Sequence, residues 1–96
     1  QPRVKASMTH QTLKIVNEKG LHARASAKLV EVVEGFDAQA EVSRDGLSAS
    51  GDSIMGLLML AASKGTTIDV RTSGPDAEAL ASAIEALVAD KFGEGY

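Results

Sequence analysis

The apolar positions along this chain change period several times, and each change marks an element. From Gln11 to Asn17 they alternate, with Leu13 and Ile15 on one face and Thr12 and Lys14 on the other, which predicts a half-buried strand. Asn17-Glu18-Lys19-Gly20 is turn chemistry. Helical spacing follows from about Ala23 to Glu34: Ala25, Leu29, Val32 and Val33 form a stripe that leaves Lys28, Glu31 and Glu34 outside it, with Gly35 as the stop. Alternation returns over Phe36 to Ser43, and Asp45-Gly46 signals a hairpin into a short strand, Leu47 to Ser50. A second helix is expected from Ser53 through Ala62, ending at Lys64-Gly65, and a β-branched strand over Thr66 to Arg71. Gly74-Pro75-Asp76 opens the last helix, whose stripe is Leu80, Ile84, Leu87 and Val88, with Phe92 closing it.

The order is β-α-β-β-α-β-α. Short alternating strands need one side covered, and three amphipathic helices can cover it. An α+β fold follows, with an antiparallel or mixed sheet and helices on one face. Pattern alone leaves the strand order open. Residues 1–10 lack a period and read as an N-terminal tail, residues 11–92 as one domain, and 93–96 as a C-terminal tail. Met8 could serve as a natural start, and the sequence leaves open whether the first seven residues are native.

Composition narrows the function. Ten Lys and Arg stand against 13 Asp and Glu, for a net charge of -3, and the aromatics are one Tyr and two Phe with no Trp. Neither a basic face nor interleaved aromatics is present, which argues against nucleic acid as a partner. With no Cys there is no thiolate chemistry, in keeping with the cytoplasm. No apolar run is long enough to span a bilayer, so no membrane insertion is expected. Walker, Gly-x-Gly-x-x-Gly and metal-ligand patterns are absent, so neither cofactor nor metal is expected.

The most informative stretch is Gly20-Leu21-His22-Ala23-Arg24-Ala25-Ser26-Ala27, a turn opening directly into a helix. A helix start presents unpaired N–H groups and partial positive charge, so it favours anions. Arg24 adds a cation whose donor fork suits phosphate oxygens, in a first turn where local stability would not select it. Histidine is also a weaker cap than Ser, Thr, Asp or Asn. An imidazole so placed can carry a phosphoryl group, although a merely structural cap is the plainer alternative. His10 falls in the tail and reads as solvated.

Ser53 reads as the cap of the second helix, at a place where phosphate would also be tolerated. That helix carries more apolar residues than one stripe needs. Leu57 and Leu60 read as core, while Ile54, Met55 and Leu58 share another face that is either deeply buried or a docking patch.

Gly20-Leu21-His22-Ala23-Arg24, followed by Ser53-Ile54-Met55-Gly56, resembles HPr, the histidine-containing phosphocarrier family of the bacterial phosphoenolpyruvate-dependent phosphotransferase system. The resemblance runs from about Gln11 to Phe92. It implies an open-faced β-sandwich with four antiparallel strands and three helices on one face. It also implies that His22 is phosphorylated on Nδ1, assisted by Arg24, and that Ser53 is the regulatory serine. Ile54, Met55 and Leu58 would then face partners. The implied partners are enzyme I as donor, an enzyme II A component as acceptor, and an HPr kinase/phosphorylase acting on Ser53.

Two positions depart from the family pattern. Ala25 stands where many members have proline, and Asp52 where a lysine often precedes the serine. The wording around Ser53 is similar to proteobacterial members, some serving a nitrogen-related regulatory branch. Two other function classes stay open on sequence grounds: a regulatory binding module acting through Ser53 and its helix, and a small enzyme using His22 as general base.

Overall fold

The computed structural model describes residues 7–96. Its elements are β1 (Ser7–Lys14), α1 (Ala23–Glu34), β2 (Gln39–Arg44), β3 (Leu47–Ser50), α2 (Ile54–Met59), β4 (Thr67–Gly74) and α3 (Ala77–Ala89), then a single 3-10 turn over Lys91–Gly93. The four strands form one antiparallel sheet in the order β1-β4-β2-β3. Ile68, Val70, Ala40, Val42 and Ala49 point from it into the core. Ala25, Leu29 and Val33 of α1, Leu57 of α2 and Leu80, Ile84 and Val88 of α3 meet them from the other side. This is the open-faced sandwich with three helices on one face.

Strand β1 starts at Ser7 rather than Gln11, so Ser7 to His10 belong to the sheet and not to a tail. Its inward positions there are polar, which hides the alternation from hydrophobicity alone. Hydrogen bonds replace apolar contact. The hydroxyls of Thr9 and Thr72 lie 2.5 Å apart, and Thr72 Oγ1 donates to Ala77 O at 2.8 Å. Gln11 Nε2 donates to Ala81 O at 2.9 Å. His10 is not simply solvated: Nε2 lies 3.3 Å from Asp69 Oδ1 across the open face. Residues 1–6 of the expected tail lie outside the described residues.

Other boundaries shift less. Strand β2 begins at Gln39 rather than Phe36, and β4 continues to Gly74. Pro75 therefore precedes α3, and Asp76 accepts a bond from the Asp37 amide at 2.9 Å instead of capping with its side chain. Helix α2 stops at Met59, well before Ala62, because Ala61 takes a left-handed φ of 52°. That turn redirects residues 61–63 toward the loop preceding α1, with consequences for the site.

Candidate functional site

The loop from Asn17 to His22 is held by backbone on both sides. Gly20 has φ 65°, and its amide donates to Asn17 O at 3.2 Å. A Cβ at this position would meet Ala62 O at 2.4 Å, so the 61–63 turn can seat here only against glycine. Leu21, buried, then donates its N–H to Ala62 O at 2.9 Å. Gly20→Ala combines a left-handed strain with this clash and is expected to cost about 2 kcal/mol or more. Urea unfolding checks it, and an unchanged midpoint would contradict the seat described.

His22 is the N-cap of α1, with extended backbone (φ -80°, ψ -175°), and its Nδ1 accepts from Arg24 N at 3.3 Å. An accepting Nδ1 carries no proton, so the ring's hydrogen resides on Nε2. That side meets the carboxylate of Glu94. Ser26 N begins the helical bonding to His22 O at 2.8 Å, leaving the first-turn N–H groups at the ring's side of the helix. The Arg24 guanidinium is exposed and forms no hydrogen bond or ion pair among the described residues. An open cleft of about 280 Å³ beside the ring is lined by Lys19, Leu21, His22, Leu58, Ala61, Ala62 and Ser63.

Glu94 is the residue that sequence reasoning missed. The expected C-terminal tail instead folds back on the loop. Phe92 is fully buried, Lys28 Nζ donates to its carbonyl at 2.8 Å, and Glu18 N donates to Tyr96 O at 3.2 Å. Lys91 and Phe92 both have left-handed φ, 56° and 54°, a conformation costing roughly 1–3 kcal/mol per residue. The packing of Phe92 offsets that cost and delivers Glu94 with a side chain only 4% exposed, against 28% for His22. Asn17, fully buried, donates from Nδ2 to both Gly20 O (2.8 Å) and Glu94 Oε1 (3.0 Å). One amide thus ties the loop's turn to the carboxylate.

Burial opposes the charge on Glu94, but hydrogen bonds from Asn17 and His22, with electrostatic attraction to His22 and Lys19, outweigh it and hold its carboxyl below the usual range. The unfolded chain therefore takes up this proton more readily than the folded one. The resulting stability is fully present above the ordinary glutamate range and is lost as pH falls through the folded-state value. Thermal melts from pH 7 to pH 3 should fall more steeply for the native chain than for Glu94→Gln. Parallel curves would contradict the assignment. Glu18, bonded by Lys64, and Asp69, bonded by Thr12 and His10, shift the same way and add the same slope to both proteins.

Ser53 caps α2, its Oγ accepting from Gly56 N at 3.0 Å, and so sits at the end of α2 away from the cleft. Next to it, Asp52 accepts a bond from Ser50 Oγ at 2.6 Å. Leu57 and Leu60 are buried as the spacing indicates, whereas Ile54, Met55 and Leu58 are exposed. Met59, 73% exposed, extends that surface and was not singled out by the pattern. Leu58 also lines the cleft, so it joins the apolar surface to the side of His22. No helix among the described residues is long and apolar enough to cross a membrane.

Residues 9–90 match the family model for the phosphotransferase-system HPr component phosphorylation site. A phosphocarrier protein HPr from Cupriavidus necator is 46% identical over 88 residues, covering 92% of this chain and 99% of the relative. A phosphocarrier protein NPr from Escherichia coli K12 is 41% identical over 85 residues, covering 88% and 94%. Among solved structures, an HPr from Thermoanaerobacter tengcongensis superposes with a TM-score of 0.85 at 35% identity, covering 90% of this chain and 97% of that one. The fold, the matched family model and these relatives lead to one assignment: the chain belongs to the HPr family, the phosphocarriers of the phosphotransferase system.

Proposed function

We propose that His22 accepts a phosphoryl group on Nδ1 from phosphorylated enzyme I and passes it to an enzyme II A component. The observation that carries this reading is the accepting Nδ1 at the start of α1, two residues before an exposed Arg24 whose guanidinium is unpaired among the described residues. Neutral imidazole is a competent nucleophile, and the phosphoramidate it forms is labile enough to be handed on. As the phosphoryl group arrives, the Arg24 amide can leave Nδ1 for a phosphoryl oxygen, while the guanidinium meets another. Ala25 retains an amide N–H that proline would lack, so the helix start here has one more donor than a proline-bearing relative's. The larger partner supplies in-line geometry. The protein is thus a carrier with a covalent intermediate and not a stand-alone catalyst, and it works in the cytoplasm.

Ile54, Met55 and Leu58, with Met59 beside them, form the surface on which enzyme I and the enzyme II A component dock. Met55→Glu places a charge in that surface at a residue 71% exposed. It is expected to raise enzyme I's KM for this protein by about tenfold, the scale of a lost interface anchor, with little change in Tm. Equal KM values would remove Met55 from the interface. Ser53 is the site for an HPr kinase/phosphorylase. Phosphate there adds about two negative charges next to the docking surface and repels an acidic partner.

The acceptor lies either in sugar uptake or in a nitrogen-related regulatory branch. Similarity to the Escherichia coli protein named NPr favours testing both. The decisive experiment is intact mass after incubation with enzyme I, Mg²⁺ and phosphoenolpyruvate. One acid-labile phosphoryl addition is expected. None, with an enzyme I active on its own carrier and then with the cognate enzyme I, would overturn the reading.

A further inference from the structure

We propose that Glu94 is a positioning residue that keeps the ring proton of His22 on Nε2, so directing phosphoryl groups to Nδ1 and retaining that proton throughout transfer. This deepens the carrier reading and rests on it. The geometry is a three-residue line: Asn17 Nδ2 holds one carboxylate oxygen of Glu94, and the other oxygen faces His22 Nε2. An acceptor-only carboxylate at Nε2 favours the tautomer with hydrogen there. The opposite nitrogen accepts from Arg24 N, which favours the same tautomer. A buried carboxylate is costly unless it is bonded, and both of its oxygens are engaged. The C-terminal segment therefore places a charge at the ring nitrogen that does not receive the phosphoryl group.

The chemistry balances without moving a proton. On acceptance, the Nδ1 lone pair forms the N–P bond as phosphorus separates from the donor atom that carried it, which keeps the bonding pair. His22 becomes a cationic ring bearing the phosphoryl group, with hydrogen still on Nε2 and Glu94 as its counter-ion. On donation, the N–P pair returns to Nδ1 and neutral imidazole leaves. Without the Nε2 hydrogen the leaving group would be imidazolate, a far poorer one.

Potassium phosphoramidate tests this without any partner enzyme: its P–N bond breaks, ammonia leaves, and the phosphoryl group goes to an imidazole nitrogen. With ¹⁵N-histidine-labelled protein, ³¹P–¹⁵N coupling identifies which nitrogen of His22 is phosphorylated. The native chain should give predominantly the Nδ1 product. In Glu94→Ala the Nδ1:Nε2 ratio should fall by about tenfold, the factor for one charge-assisted hydrogen bond. Glu94→Gln, which keeps the side chain's size but can turn its amide N–H toward Nε2, should fall in the same direction and decides the matter if the alanine variant does not fold. An unchanged ratio in the folded variants overturns the proposal. Failure of enzyme I to phosphorylate the native chain would instead overturn the carrier reading and leave the ratio standing.

Discussion

His22→Ala is expected to abolish acid-labile phosphorylation by enzyme I, a complete loss and not a reduced rate. Among the described residues no second imidazole stands at the start of α1, and the Ser26 hydroxyl there is buried and donates to Leu21 O. The other histidine, His10, sits on the open face of the sheet beside Asp69, and the chain has no cysteine. The substitution removes a weak cap, worth about 1 kcal/mol or less, and one hydrogen-bond partner of the Glu94 carboxylate, worth about 1.5–3 kcal/mol. Against a total of about 5–15 kcal/mol the fold is expected to survive, so loss of transfer is not loss of structure. Quenched reactions separated by mass, with a circular dichroism melt on the same sample, make the comparison. Acid treatment separates phosphohistidine from any phosphoserine at Ser53. Acid-labile phosphate on a folded His22→Ala protein would show that the acceptor lies elsewhere.

Phe92→Ala is expected to produce the largest stability loss. Phe92 is fully buried in the core cluster, and truncating a buried phenylalanine costs about 3–5 kcal/mol. Total stability of such a domain is about 5–15 kcal/mol, so a fifth or more is expected to be lost. A fall in Tm of more than about 10 °C should be visible by calorimetry. The left-handed turn at Lys91 and Phe92 would lose the packing that holds it, releasing Glu94 from Asn17 and His22. Retention of native Tm would mean that the C-terminal turn is not anchored through this ring.

The parts of this molecule written in local pattern were readable before the fold was seen. Leu29, Val33, Leu80, Ile84 and Val88 recur at helical spacing because one helix face must be apolar, and each is buried. The turn into α1 was readable because Gly20, His22 and Arg24 are a poor choice for helix stability alone. Non-local compensation hid the rest. The start of β1 buries hydroxyls and an amide that find partners on β4 and α3, so no apolar alternation marks it. The early end of α2 depends on how residues 61–63 seat on Gly20, a contact between segments some forty residues apart. Glu94 is more than seventy residues from His22 and looks like any acidic residue near a terminus. A large aromatic beside a glycine, Phe92 before Gly93, is the local hint that this end is tied down.

The proposed carrier function requires two transfers through His22, and a single quench-flow experiment can follow both. Enzyme I is first charged with ³²P from phosphoenolpyruvate, then mixed with this protein and an enzyme II A component. Label should rise on the protein and decline as it appears on the enzyme II A component, with neither step occurring in His22→Ala. Label that stays on the native protein, or reaches the enzyme II A component equally well through His22→Ala, would contradict the account.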